Sequence, residues 1–108
     1  MDTTQLLKGV LDLAVLAVLR DEDGYGYDIM RRLRAAGLEE VGDASVYGTL
    51  RRLFQAGLLT TYMLPSEEGP PRKYYSLNAA GRDRLQRSSE LWRSFVSTMD
   101  ELLKESQR

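Results

Sequence analysis

The sequence predicts a mostly α fold with one two-stranded β hairpin, ending in a long helix. Three observations lead there. Apolar residues recur at helical spacing in four stretches, beginning near residues 4, 26, 43 and 78. Between the third and fourth lie two short runs rich in β-branched and aromatic residues, separated by proline, glycine and charge. In the fourth stretch, Leu85, Trp92 and Met99 repeat every seven residues.

The first helix is expected over residues 4–19, where Leu6, Leu7, Val10, Leu11, Leu13, Ala14, Leu16, Ala17 and Leu19 cover more of the circumference than one packing face needs. Such a helix is buried on two sides. Asp21-Glu22-Asp23-Gly24 ends it, and Tyr25-Gly26-Tyr27-Asp28 opens a second helix that turns Tyr27, Ile29, Met30 and Leu33 inward and stops at Gly37. After a linker through Glu39, Glu40 and Gly42, a third helix runs from a cap at Asp43 to a stop at Gly57; the Asp43 carboxylate can accept free N–H groups of the first turn. Within it Val46, Leu50 and Leu53 share one face, while Ser45, Thr49, Arg51 and Arg52 fall on others. The apolar stripe docks, and the remainder is free to touch something.

Leu59-Thr60-Thr61-Tyr62-Met63-Leu64 and Lys73-Tyr74-Tyr75-Ser76-Leu77 then form the hairpin, with residues 65–72 as its tip. A short polar helix followed by a tipped hairpin is the order in which a winged helix-turn-helix holds one helix in a DNA groove and lays a loop beside it. The last helix starts near Asn78, and Phe95, Val96, Leu102 and Leu103 fill the positions between its heptad residues. At about 1.5 Å per residue it extends roughly 40 Å. One small domain has too little surface to cover such a stripe, so a second copy is the natural lid. The expected division is a winged helix-turn-helix DNA-binding domain over residues 1–77 and a C-terminal dimerisation helix over residues 78–108.

Composition narrows the function. A chain of 108 residues is one domain, short enough for a partner subunit to supply much of its buried area. It has no cysteine and no histidine, which removes thiol nucleophiles, imidazole bases, disulfides and most transition-metal sites. No constellation of the remaining carboxylates, hydroxyls and lysines suggests catalysis, so no catalytic residue, metal or cofactor is expected. The lack of cysteine fits a reducing cytoplasm. No basic region precedes the first apolar run, and Lys8 and Asp12 interrupt it, so neither export nor a membrane anchor is expected. Net charge is only −1, so any contact with nucleic acid must come from local clustering. Residues 1–42 carry five cations against eight anions, residues 43–77 four against three, and residues 78–108 six against five.

With these elements in order, the sequence resembles the PadR-like family of bacterial transcriptional regulators, in its small form with a single C-terminal helix. Leu11-Asp12-Leu13-Ala14-Val15-Leu16 with Gly24-Tyr25-Gly26-Tyr27-Asp28-Ile29 resembles the family's first helix and the entry to its second. Val46-Tyr47-Gly48-Thr49-Leu50-Arg51-Arg52-Leu53 with Ala56-Gly57-Leu58 resembles its recognition helix and exit. Arg72-Lys73-Tyr74-Tyr75-Ser76-Leu77 with Ala80-Gly81 resembles its second wing strand and the start of the last helix. The likeness implies a dimeric winged helix-turn-helix repressor released by a small molecule. It departs at Gly48, where relatives often carry proline, at Phe54, where they often carry charge, and at a wing tip, residues 66–71, that lacks their longer basic runs.

The candidate DNA contacts are Ser45, Tyr47, Thr49, Arg51 and Arg52 on the third helix, with Arg72 and Lys73 on the wing. Tyr47 borders the docked stripe, so its ring can pack while its hydroxyl reaches a phosphate. The Ser45 and Thr49 hydroxyls suit base edges or phosphates, or bond their own backbone. The arginines can neutralise phosphates or grip a guanine through O6 and N7. Tyr74 and Tyr75 must point to opposite faces of their strand. In some multidrug-responsive relatives the residue matching Trp92 stacks on flat ligands between subunits. By that resemblance Trp92, Phe95, Val96 and Met99, facing Leu6, Leu7 and Val10 across the subunit boundary, are candidates to hold a small planar aromatic effector; the plainer reading is a dimer core without ligand. The partners expected are double-stranded DNA and a second copy, with a roughly palindromic operator. The competing reading is a winged helix used for protein contacts, which an exposed Phe54 would suit.

Overall fold

The computed structural model describes residues 3–105. Helix α1 (Thr4–Asp21) is followed by strand β1 (Gly24–Tyr25), helices α2 (Gly26–Ala35) and α3 (Asp43–Gln55), strands β2 (Leu59–Leu64) and β3 (Arg72–Leu77), and helix α4 (Ala79–Leu103). The sheet is antiparallel in the order β1-β3-β2, with Leu59 opposite Leu77 and Leu64 opposite Arg72. The expected hairpin is therefore a three-stranded sheet. Gly24 and Tyr25 pair with Tyr75 and Tyr74 on the open edge of β3. Two residues are too few to show a period of two in a sequence, but they suffice to cover an edge that would otherwise present free N–H and C=O groups.

The core explains why α1 is apolar nearly all round. Val15, Leu16 and Leu19 of α1 are buried, and they meet Ile29 and Leu33 of α2, Val46 and Leu50 of α3, Leu77 of β3 and Leu85 of α4. Truncating one of these, such as Leu50→Ala, is expected to cost about 2–5 kcal/mol, the lost transfer energy plus the cavity left behind. Tyr27, expected inward, is instead 54% exposed beneath the Arg31 guanidinium, which lies 5.5 Å from its ring centre. One turn with Ile29, Met30 and Leu33 already fills the inner face of α2.

Helix ends are set by short-range chemistry. After α2 and α3 the chain turns through Gly37 (φ 121°) and Gly57 (φ 80°). In both, the N–H of the next residue returns to the helix, Leu38 to the Leu33 carbonyl and Leu58 to the Leu53 carbonyl, each at 3.0 Å. Asp43 is not the cap of α3: Gly42 holds that position, no side chain closes the turn, and Asp43 begins the helix as a carboxylate against its positive end. Asn78 does cap α4, accepting from the Gly81 N–H at 2.8 Å while donating to the Gly57 carbonyl at 2.9 Å. That residue ties the start of α4 to the exit of α3.

Two arginines hold the connections. Arg34 donates to the Val41 carbonyl from Nε at 3.0 Å and Nη2 at 2.8 Å, fixing the linker into α3. Arg32 donates from Nη1 to the carbonyls of Glu22 (3.0 Å) and Val18 (3.3 Å) and from Nη2 to that of Asp23 (3.3 Å). The Val18 carbonyl lies in the last turn of α1, and those of Glu22 and Asp23 in the extended segment that leaves it, so one guanidinium ties α2 to the exit of α1.

Beyond Leu85 no residue of α4 is buried, and Leu91, Phe95, Leu102 and Leu103 are exposed. The Cα radius of gyration, 16.1 Å, exceeds the roughly 13 Å of a compact chain of this length, because this helix projects from the body.

Candidate nucleic-acid interface

Helix α3 is docked on one side and open on the other. Val46, Leu50 and Leu53 are buried as their spacing requires. Thr49 joins them at 1% exposure, so it is not a free contact for DNA; its Oγ1 accepts from Arg52 Nη2 at 3.1 Å inside the same helix. Thr49 stands three residues after Val46 and four before Leu53, which is a stripe position whatever its polarity. The exposed face is formed by Ser45, Tyr47, Arg51 and Arg52, with Gly48 half-buried.

These side chains divide between two edges. Ser45, Gly48 and Arg52 border a hollow of about 370 Å³ between α3 and α1, whose far wall includes Lys8 and Asp12. There Arg52 Nη1 lies 2.9 Å from Asp12 Oδ2. The hydrogen bond and then the charge of Asp12 push the Arg52 guanidinium further above its ordinary value. On the opposite edge Tyr47 packs on Gly26 at the start of α2. Burial pushes the Tyr75 phenol up from its usual range, Tyr47 adds to the rise, and Arg51 opposes it.

The alternation that buries Tyr75 and turns Tyr74 outward also separates the two wing cations. Lys73 Nζ sits 5.8 Å from the ring centre of Phe54, which is 44% exposed on α3, and 5.8 Å from that of Tyr75. This places Lys73 beside α3. Arg72 lies on the other face, 4.6 Å over the Tyr25 ring. Tyr25 meets Tyr74 edge-on at 5.4 Å, Tyr74 stacks on Tyr62 at 5.5 Å, and the Tyr62 hydroxyl donates to Asp23 Oδ2 at 2.7 Å. That bond pushes the Tyr62 phenol up from its ordinary value, with smaller contributions from burial and charge. The result is an aromatic ladder fastening the hairpin to β1. At the tip, the Ser66 hydroxyl donates to the Pro70 carbonyl at 2.8 Å, and Glu67 and Glu68 are exposed.

A second feature lies behind α1. Leu6 and Val10 of α1 and Trp92 and Phe95 of α4 line one open groove of about 590 Å³, with Asp12 and Leu13 in the same wall. The Trp92 and Phe95 ring centres are 6.3 Å apart. Trp92, Leu6 and Val10 thus share one groove within a single chain. Leu7 is turned into the core instead, and Val96 and Met99 are half-buried farther along α4, outside the groove. Among the described residues no group of three or more histidine, cysteine, aspartate or glutamate side chains is placed to hold a metal ion. No helix among them is long and apolar enough to cross a membrane.

Asp12 and Gly26 are not among the residues expected from the sequence to matter here. The sequence does carry a signal for Asp12, a carboxylate interrupting a helix that is apolar on two sides.

The model of the transcriptional regulator PadR-like family matches residues 15–87. Among solved structures, a PadR-like transcriptional regulator of Bacillus cereus is 31% identical, with 95% of this chain and 100% of that chain covered and a TM-score of 0.84. A Streptococcus transcriptional regulator is 33% identical, covering 94% and 99% with a TM-score of 0.82. A PadR family transcriptional regulator of Eggerthella lenta is 29% identical, covering 94% and 88% with a TM-score of 0.85.

Proposed function

The chain belongs to the PadR-like family of transcriptional regulators, DNA-binding proteins rather than enzymes, and from that premise we propose that it is a ligand-responsive repressor working as a homodimer on a palindromic operator. The observation that carries the reading is α3 itself: one side is fully docked, and the other exposes Tyr47, Arg51 and Phe54, with the wing's Lys73 beside the Phe54 ring. In this scheme residues 1–77 read DNA and residues 78–108 pair the subunits. Helix α3 enters the major groove, Arg51 at the centre of its open face, with Ser45 and Arg52 on one flank and Tyr47 on the other. Lys73 reaches the backbone beside it, and Arg72 acts mainly by holding the wing. The acidic, internally bonded tip does not enter the minor groove.

Pairing follows from the uncovered apolar stripe of α4 and from its charges. Toward its start Arg82, Arg84, Arg87 and Arg93 outnumber Asp83 and Glu90, and around its end Asp100, Glu101 and Glu105 outnumber Lys104. An antiparallel partner therefore sets basic against acidic segments. Two heads related by a two-fold axis fit half-sites about one helical turn apart. The groove lined by Trp92 and Phe95 is the site for a planar aromatic effector, which releases DNA by favouring a dimer whose reading helices no longer match the groove.

The test is binding of the purified protein to the region upstream of its own gene. If each subunit neutralises some three to five phosphates, log affinity should fall against log salt with a slope near −5 to −9. Arg51→Ala with Arg52→Ala should abolish binding while leaving the dimer folded; unchanged binding would exclude α3 as the reader. The exposure of Phe54 favours a second reading, in which this face binds another protein. Binding that is insensitive to salt and indifferent to DNA sequence would support it.

A further inference from the structure

A further hollow, of about 330 Å³, lies where the end of α1 passes the first half of α4. Arg20 of α1 borders it on one side and Arg82, Gln86, Ser89 and Arg93 of α4 on the other, with the buried Leu85 among them. Spacings of four, three and four put the polar α4 residues on one face of the helix. The hollow shares no residue with the groove at Trp92 and Phe95. Each of its polar side chains can donate hydrogen bonds, three of them are guanidinium groups, and no carboxylate is in the lining. Arg20 meets Asp21 at 3.0 Å, but those side chains are 55% and 69% exposed, so that pair is weak. Arg82 and Arg93 have no acidic partner among the described residues, where the ion pair on this part of α4 joins Arg87 to Asp83. Like charges gathered around one hollow repel each other until an anion comes between them.

We propose that this hollow binds a linear polyphosphate, free or as the tail of a nucleotide. The fork of a guanidinium matches phosphate oxygens in pairs, and the Ser89 hydroxyl and Gln86 amide can donate to oxygens left over. Positions 82 and 93 are separated by about 16 Å along the helix, at 1.5 Å per residue. A single phosphate therefore meets one arginine well, whereas a chain of three, with the side chains leaning in from both ends, meets all of them. No aromatic ring lines the hollow among the described residues, and Leu85 is its one apolar side chain. Nothing there recognises a base, so the phosphates carry the affinity. The site does not depend on how α3 is used. Its other conceivable occupant is the acidic end of a partner's α4, which the charge pattern of that helix would set nearby, and the two are separable by experiment.

Calorimetric titration of the full chain, without DNA or divalent metal, tests this with orthophosphate, tripolyphosphate, adenosine triphosphate and adenosine as probes. Tripolyphosphate should bind roughly tenfold more tightly than orthophosphate, since each exposed ion pair contributes a factor of up to about five and the longer anion gains two. Adenosine triphosphate should equal tripolyphosphate, and adenosine should not bind; tighter binding of the nucleotide would make it the source of the phosphates and uphold the site. Arg82→Gln and Arg93→Gln should each weaken tripolyphosphate about two- to fivefold. Arg84→Gln removes the same charge from α4 outside the hollow and should change nothing. No binding, equal binding of orthophosphate and tripolyphosphate, no loss in Arg82→Gln and Arg93→Gln, or the same loss in Arg84→Gln would overturn the proposal. Sedimentation velocity along the titration checks the other occupant. If tripolyphosphate turns a dimer into a monomer, these arginines belong to the pairing of α4 and the proposal fails, whereas binding with the assembly unchanged supports it.

Discussion

The Tyr47 ring occupies the space that a side chain at position 26 would need. A Cβ built on Gly26 would stand 2.7 Å from the Tyr47 hydroxyl and closer still to the ring carbons. Gly26 therefore admits a candidate DNA contact to its place, and the first turn of α2 serves as a rest for a side chain of α3. Gly26→Ala should push the ring off its seat at a cost of about 1–3 kcal/mol in stability, the usual penalty for overpacking. If the hydroxyl of Tyr47 meets a phosphate, DNA affinity should fall as well, and Tyr47→Ala should make Gly26→Ala silent in the DNA assay. Thermal melts and anisotropy titrations of the two single variants and the double variant check both parts.

Arg32 shows how the same region is braced from behind. One guanidinium serves the Val18, Glu22 and Asp23 carbonyls, and Asp28 Oδ2 lies 3.2 Å from its Nε as an ion pair not aligned for a hydrogen bond. Arg32→Lys keeps the charge but cannot spread donors over three carbonyls. It should lower stability by about 1–3 kcal/mol, since partly buried acceptors lose their partners. Denaturant midpoints measure the loss; a midpoint unchanged from that of the unsubstituted protein would mean that water replaces the guanidinium at no cost.

The phenols of Tyr62 and Tyr75 make a prediction about pH. Both are held above their ordinary value in the folded chain, Tyr62 first by its bond to Asp23 and Tyr75 first by burial. A raised acid keeps its proton longer when folded than when unfolded, so stability is fully present below the unfolded value of about 10 and falls as pH rises through the folded one. Chemical denaturation between pH 8 and 11 should show this decline, and Tyr62→Phe with Tyr75→Phe should flatten it. In the ladder, Tyr62→Phe keeps the stack on Tyr74 but releases Asp23.

The helices were legible because burial on one face imposes a period that few other constraints disturb. Val46, Leu50 and Leu53 show it, and Thr49 is hidden in the same stripe by its hydroxyl. Polarity suggested a contact for Thr49, whereas its spacing already made it core. The strand alternation that parts Tyr74 from Tyr75 equally parts Arg72 from Lys73, so only one of the two wing cations accompanies α3. What a sequence cannot carry is which helix faces which. The pairing of Leu6 and Val10 with Trp92 and Phe95 within one chain depends on how α4 crosses α1 after Asn78. β1 is likewise created by tertiary pairing rather than by any local pattern.

The far end of α4 supplies the strictest test of pairing. Leu102 and Leu103 are each 73% exposed in the single chain, and burying a leucine side chain is worth about 1.5–3 kcal/mol. Two exposed leucines at the tip of a projecting helix suit the proposed pairing, in which another surface covers them. Leu102→Glu with Leu103→Glu removes that apolar surface and puts two carboxylates in its place, so it opposes association through lost burial and the cost of desolvating charge. The folded body should be untouched, because its buried residues end at Leu85. Sedimentation velocity should therefore change from a dimer to a monomer with the far-UV circular dichroism preserved. Affinity for a two-half-site fragment should drop by about 10²-fold or more, since each head then binds without the effective concentration that its twin provided. A variant that remains dimeric would move the pairing surface off this part of α4, and a monomer with undiminished affinity would mean that one head suffices to read the operator.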